Sequence, residues 1–334
     1  MPTLSIGAGL IAELGLAPIP STNIIVRAIV PENPCGRCGR ENRNTSRFCR
    51  HCGYSLDETS PLVTDVCQVG YVSDSKQRQS HHEDILLIVQ GLCNTLQPPP
   101  RPFSLFAIAD GQSHGMKEET SSAPRVSPPH LAIDTITDVL LPLLSTSVSP
   151  PSFTGTLESM AGYKRTLPPR PQLTKQTDEE VLKQWMRNAT RQANQVIYHC
   201  NADYDAEMTS TLACMILYKR HLYFANVGDS RAYCYSQKEG LQQIGVGEGE
   251  SSASTTLCLG QQHNMAVEPI GREVEMDDLI LLCSEGLWHA LDDEQIEKLL
   301  ALGGDIQVLA HTLVEAANTT GGGGNMSAIV VRVQ

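Results

Sequence analysis

The chain has no unbroken apolar run of about eighteen residues, the least that crosses a bilayer as a helix, so no transmembrane segment is expected. Its N-terminus, MPTLSIGAGLIAELGLAPIP, is apolar but lacks a basic leading region, and is not read as a secretory signal. Positive charge is scarce: 25 Lys and Arg stand against 37 Asp and Glu, a net charge of −12. That balance argues against nucleic acid or an anionic membrane as partner of the surface as a whole. Internal repeats are missing, which excludes solenoids and arrays. An even set of cysteines is missing too. There are eleven, and Cys93, Cys214, Cys234, Cys258 and Cys283 lie singly in or beside apolar runs, where a free thiol packs as a small core residue. Disulfides are therefore not expected, and a cytoplasmic location is.

What is present begins with CGRCGRENRNTSRFCRHCG, two CxxC pairs separated by ten residues. Two intervening residues let each pair fold back over one metal ion, and Gly36, Gly39 and Gly53 permit the turns. Cys35, Cys38, Cys49 and Cys52 are thus predicted to hold one structural zinc. A closed four-thiolate site leaves no position for substrate, and so short a segment needs the metal to fold. It looks like the short zinc ribbons that precede catalytic domains in bacteria. Arg37, Arg40, Arg43, Arg47 and Arg50 face only Glu41 in this stretch, a local basic face on an acidic chain.

Beyond a polar joint at 54–62, strand-like runs fall at Asp84–Gln90, Phe103–Asp110, Thr211–Tyr218, His221–Val227, Arg231–Tyr235, Leu279–Cys283 and Ala328–Val333. Thr211–Tyr218 and His221–Val227 read as a hairpin turning on Lys219-Arg220. Helical periodicity runs over Leu131–Leu144 and Asp178–Cys200, the latter opening on a Thr177-x-x-Glu180 capping box. Two further helices are expected after Asp292-x-x-Gln295 and over Asp305–Asn318. The Pro/Ser-rich stretch 145–175 reads as a mobile insertion. This order suggests α+β, and residues 23–30 either add an edge strand or stay loose.

Acidic residues gather where strands end: Glu83-Asp84, Asp110-Gly111, Asp229 and Glu285-Gly286. Carboxylates beside glycine at strand ends suit hard cations such as Mg²⁺ or Mn²⁺, although any single Asp-Gly is also a common turn. Together, FSLFAIADGQSHG, MTSTLACMILYKRHLYFANVGDSRAY, DDLILLCSEGLWHALDDEQI and GGGGNMSAIVVRV resemble the signature blocks of the PPM family, the metal-dependent type 2C Ser/Thr protein phosphatases. SDSKQRQSHHED resembles the family's first block.

The resemblance implies a PPM-type β-sandwich of two antiparallel sheets flanked by helices, with a metal site at one end. The expected domains are an extension at 1–34, the ribbon at 35–56 and a phosphatase-like domain at 63–334. It implies Asp110 as the carboxylate bridging two Mg²⁺ or Mn²⁺ ions, the Gly111 carbonyl on the second ion, and Glu83 reaching that ion through water. Asp84 supports them, and water held between the ions attacks the phosphoester. At the first ion the family uses two further aspartates, and here those positions are Glu285 and Gly324. The family's phosphate-clamping arginine falls on Gln79, with Arg78 adjacent as a weak substitute; the usual Gly of the GTT block is Thr209. Residues 242–257 replace a longer flap. His81, His82, His114 and His289 stand near the site blocks without an assigned role.

The leading expectation is a phosphatase-like protein with a degenerate first metal site, impaired or a pseudophosphatase, that binds a phosphoprotein or a Ser/Thr kinase in phospho-signalling. The alternatives are an active Mn²⁺- or Mg²⁺-dependent Ser/Thr phosphatase and an adapter driven by the ribbon.

Overall fold

The computed structural model describes residues 24–29, 34–43, 46–53, 56, 67–75, 84–96, 99–114, 127–145, 177–245, 257–321 and 324–334. The first strand of the sandwich is β1 (Ile24–Ile29), followed after the ribbon by β2 (Cys67–Ser75), β3 (Ile85–Cys93), β4 (Arg101–Ala109) and β5 (Gly111–His114). Helices α1 (Pro128–Leu144) and α2 (Asp178–Tyr204) come next. Then follow β6 (Glu207–Ser210), β7 (Leu212–Tyr218), β8 (His221–Val227), β9 (Arg231–Ser236), β10 (Gly240–Ile244), β11 (Ile270–Glu273) and β12 (Leu279–Cys283). The chain closes with α3 (Glu285–Ala290), α4 (Asp293–Ala301), α5 (Ile306–Thr319) and β13 (Asn325–Val333).

Two sheets stack face to face. One has the order β1-β3-β4-β7-β8-β11 and the other β10-β9-β12-β13-β2, with β5 and β6 forming a small separate ribbon. The strands read as unbroken apolar runs because both faces of each central strand are covered. In β3, Leu86 and Ile88 point between the sheets against Ile280, Leu282, Ile329 and Val331. Ile85, Leu87 and Val89 point outward under α1 and α2. On the second sheet, Leu279, Leu281 and Cys283 pack outward against the last three helices. The result is four layers, helices outside two sheets, and each fully buried Leu, Ile, Val or Phe contributes about 1.5–3 kcal/mol.

The antiparallel expectation needs one correction. β1 runs parallel to β3, Ile24 opposite Leu86 through Ile29 opposite Gly91, while the other pairings are antiparallel. Residues 24–29 are thus an edge of the sandwich, not a loose extension. Val26 is 54% exposed, so this edge buries little and shows no clear alternation in its sequence.

Local signals hold where expected. Thr177 and Glu180 form the reciprocal capping box at the start of α2, and Asp292 with Gln295 forms another at α4. Each cap is worth about 1 kcal/mol. The β7–β8 hairpin turns on Lys219 and Arg220, both at positive φ (52° and 59°), as a two-residue turn of primed type demands. The insertion at 145–175 lies outside the described residues except for Ser145, as does most of the short flap.

Candidate metal centres and phosphatase-type site

The four ribbon cysteines converge. Their Sγ atoms all lie within 4.8 Å of one another. Cys35 and Cys52 are 3.7 Å apart at sulfur, Cys38 and Cys49 3.6 Å. A tetrahedron with Zn–S bonds of about 2.3 Å has edges of about 3.8 Å, whereas a disulfide would bring the sulfurs to about 2.05 Å. These separations fit zinc. The two knuckles repeat one design. In each, the first cysteine's sulfur accepts an N–H two residues on: Arg37 to Cys35 and His51 to Cys49, both at 3.4 Å. Its carbonyl accepts from a left-handed glycine four residues on, Gly39 at 2.7 Å and Gly53 at 2.8 Å.

Burial would raise the Cys49 thiol, but the N–H groups of His51 and Cys52 and the neighbouring thiols outweigh it and bring it to about 6. Burial, aided by the other thiols, pushes Cys38 up to about 12. Four sulfurs this close cannot all ionise without a cation among them. His51 lies between two guanidinium groups, and desolvation with the charges of Arg40 and Arg50 lowers its pKa below the ordinary value.

The ribbon is not free-standing. The Asn94 side-chain amide donates to the Gly39 carbonyl at 3.2 Å. A Cβ at Gly39 would come within 2.6 Å of Asn94 Cβ and 2.7 Å of Pro100 Cγ. Both belong to the turn joining β3 to β4, so glycine at 39 serves the turn and the docking together.

The acidic residues sit at the other end of those two strands. Asp84 immediately precedes β3 and is fully buried; Asp110 immediately follows β4 and is half-buried. The backbone of Asp110 is held by residues about a hundred positions away. Its N–H donates to Thr211 Oγ1 at 3.0 Å, and its carbonyl accepts from the Thr211 N–H at 2.7 Å and Ser210 Oγ at 3.1 Å. Gly111 is buried at the start of β5, opposite Ser210, and Thr209 stands opposite Gln112.

Asp84 accepts from Ser327 Oγ at 2.6 Å through Oδ2, and Ser73 donates to Ser327 at 2.7 Å. The Ser327 N–H donates to Ser284 Oγ at 2.9 Å. Asp84 Oδ1 is buried without a hydrogen-bond partner, and so is Asp229 Oδ1. Burial and, second, the charge of Asp84 raise the Asp229 carboxyl. The Cys258 thiol is raised by burial, then by the charges of Asp229 and Asp110. A buried carboxylate oxygen with no donor is the kind of group a hard cation such as Mg²⁺ or Mn²⁺ relieves, and Asp84 and Asp229 each present one.

The first-ion residues are arranged differently. Glu285 opens α3 and is exposed. Gly286 follows it, and a Cβ there would stand 2.2 Å from the Asn325 carbonyl oxygen, so the glycine is required by the approach of β13. Gly324 has φ +99° with nothing within 4 Å of where a Cβ would lie. Among the described residues only the cysteines bring three or more ligand atoms within 4.8 Å. Glu83, Arg78, Gln79, His81 and His82 lie outside the described residues, as does the His114 side chain; His289 is exposed on α3.

Asp229 is one of the strand-end carboxylates that suit a hard cation, and the family resemblance implies no ligand position for it. Its NVGDSRAY block is bound tightly into this end of the sandwich. Trp288 of α3 donates its indole N–H to the Asp229 carbonyl at 2.9 Å, and the Arg231 guanidinium lies 3.5 Å over the Trp288 ring. Gly228, at φ +104°, leaves only 2.6 Å between a would-be Cβ and Thr211.

Residues 151–318 match the protein phosphatase 2C family and residues 35–56 a zinc-ribbon domain. The chain belongs to the protein phosphatase 2C family, with a four-cysteine zinc ribbon ahead of it. It is 27% identical over 175 residues to the serine/threonine phosphatase stp of Listeria welshimeri, covering 46% of this chain and 68% of that one. It is 29% identical over 143 residues to PstP of Mycobacterium tuberculosis, covering 38% of this chain and 28% of that one. Two solved structures share the fold. The PstP catalytic domain in complex with two manganese ions superposes with a TM-score of 0.54 at 22% identity, covering 80% of this chain and 98% of that one. Stp1 from Staphylococcus aureus superposes at 0.56 and 18%, covering 83% and 98%. No described helix is long and apolar enough to cross a membrane.

Proposed function

We propose that this protein engages phosphoproteins through its phosphatase 2C domain and hydrolyses them slowly or not at all, because its first metal site is weakened. The observation that carries the reading is Gly324. Where the family's block calls for a carboxylate, the chain has no side chain and a backbone at φ +99°. Glu285, the remaining candidate at that ion, is exposed and one methylene longer than aspartate. The reading keeps the second site: Asp110 and Gly111 as ligands, with Glu83 and Asp84 behind them. Bound Mg²⁺ or Mn²⁺ would supply Lewis-acid activation of water and charge for the phosphoryl group. The chain's own part is to hold Asp110 rigidly through Thr211 and Ser210, and to keep Asp84 oriented through Ser327. We further propose the division into a ribbon at 35–56 and a phosphatase domain at 63–334, with the insertion at 145–175; the segment 1–34 ahead of the ribbon gives that domain its edge strand at 24–29. Phosphoproteins follow from the family as substrates; a Ser/Thr kinase is the proposed partner.

A second reading, an active Mn²⁺- or Mg²⁺-dependent phosphatase, is favoured by the unpartnered buried oxygens of Asp84 and Asp229, which suit a fully loaded site. One assay separates the two. Wild type and Asp110→Asn are given a phosphopeptide and an aryl phosphate with millimolar Mn²⁺. Turnover below about 0.1 s⁻¹, two orders under an ordinary enzyme, is expected. Turnover of about 10 s⁻¹ that vanishes in the Asn variant would overturn the impaired reading.

A further inference from the structure

The ribbon's basic face has an internal conflict that an anion would resolve. Arg40 Nη1 lies 3.2 Å from His51 Nδ1, and Arg50 Nε donates to His51 Nε2 at 3.3 Å. Guanidinium groups only donate, and a neutral imidazole accepts at one nitrogen only. If Nε2 accepts from Arg50, Nδ1 carries a proton and meets Arg40 donor to donor. No described carboxylate is paired with either arginine.

Around this trio Arg37 and Arg47 are exposed, and Phe48 is 64% exposed, the second most exposed large apolar side chain among the described residues. All of this rides on a chain of net charge −12. The ribbon is also held in place by Gly39 against Asn94 and Pro100, so the face has a fixed position. That position is the far end of β3 and β4 from Asp84 and Asp110. Nine-residue strands at about 3.3 Å per residue put it about 30 Å from the acidic end.

We infer that Arg40, His51 and Arg50 form an anion-binding anchor for an acidic, phosphorylated protein segment, with Phe48 receiving an apolar side chain beside it. An anion between Arg40 and His51 accepts from both and removes the conflict, and arginine's forked donors suit phosphoryl and carboxylate oxygens. A short peptide is favoured over a longer polyanion because the chain as a whole carries a net charge of −12, which repels an extended anion more than a short one. The anchor goes beyond the phosphatase reading and holds whether or not hydrolysis occurs. A bound segment would need about nine extended residues to reach the acidic end.

The test uses the full zinc-loaded chain and a fluorescein-labelled twelve-residue peptide of glutamate and phosphoserine with one central leucine. Anisotropy at about 50 mM salt should show binding. R40Q/R50Q should weaken it at least about tenfold, Phe48→Ser about threefold, and 300 mM salt should abolish it. R40K/R50K should retain part of the affinity, and zinc content of one per chain in each variant shows that the ribbon still folds. Turnover of an aryl phosphate should be unchanged, so loss of the anchor is distinct from failure of the phosphatase reading. Equal binding by R40Q/R50Q at full zinc content would overturn the inference. So would equal binding of an unphosphorylated serine-glycine peptide, tighter binding of a single-stranded oligonucleotide, or low-salt dimerisation that the double variant abolishes.

Discussion

Replacing Gly286 by alanine should destabilise the protein by about 3 kcal/mol, and the reason is purely steric. The added Cβ would lie 2.2 Å from the Asn325 carbonyl oxygen and 3.1 Å from its carbon. Real Cβ atoms do not approach backbone oxygen that closely. Neither atom belongs to a flexible side chain, so relief requires moving α3 away from β13. Overpacking of this kind costs about 1–3 kcal/mol, and a backbone obstacle belongs at the upper end. Gly286 has no positive φ, so no conformational penalty is mixed in. Gly303 is the matched control, with φ +62° and nothing within 4 Å. Gly303→Ala should cost only the left-handed backbone penalty, about 1 kcal/mol. Urea unfolding with zinc present reads both, and at about 2–4 °C per kcal/mol, Gly286→Ala should lower Tm by about 6–12 °C. Gly286→Ala within about 0.5 kcal/mol of wild type, or no costlier than Gly303→Ala, would refute the packing argument.

Three further outcomes are expected. Asp229→Asn should stabilise the chelator-treated protein by about 1 kcal/mol at pH 7, since it removes a partly buried negative charge beside that of Asp84. A carboxyl raised in the folded state loses stability as pH rises through its folded pKa, so the gain should shrink toward about pH 4; an equal gain at both pH values would contradict this. Removing zinc should open the ribbon while leaving the sandwich intact, because the ribbon's own core is little more than Cys35, Cys49 and Leu56. Trypsin should then cut at its arginines with the main thermal transition unmoved, and unchanged resistance would count against a metal-dependent ribbon. Gly324→Asp has room for its side chain but must adopt φ +99°, so about 1 kcal/mol of stability should be lost in a thermal melt.

The parts of this molecule that were legible in advance are those specified by neighbours in sequence. The zinc ligands follow from two CxxC pairs, and the ends of α2 and α4 from residues three apart. The central strands were visible because burial on both faces makes them continuous apolar runs. β2 was not, because Gly70 and Asp74 interrupt its pattern. Gly70 is there because a Cβ would strike the Ile306 carbonyl at 2.2 Å, a contact between residues more than two hundred positions apart. The same holds at the acidic end. Asp110 and Asp84 could be picked out by motif, but the burial that gives Asp229 its unpartnered oxygen is a tertiary fact. β1 was left open because an edge strand with few buried residues carries little hydrophobic signal.

In the proposed function one oxygen-ligated metal position is retained and its neighbour weakened. Calorimetric titration of Mn²⁺ into zinc-loaded protein tests it most directly, with the Gly324→Asp, Glu285→Asp double variant beside wild type. One Mn²⁺ per wild-type chain is expected in the low-micromolar range, and a second in the double variant. Two equally tight ions in the wild type, or an identical titration in the variant, would contradict it.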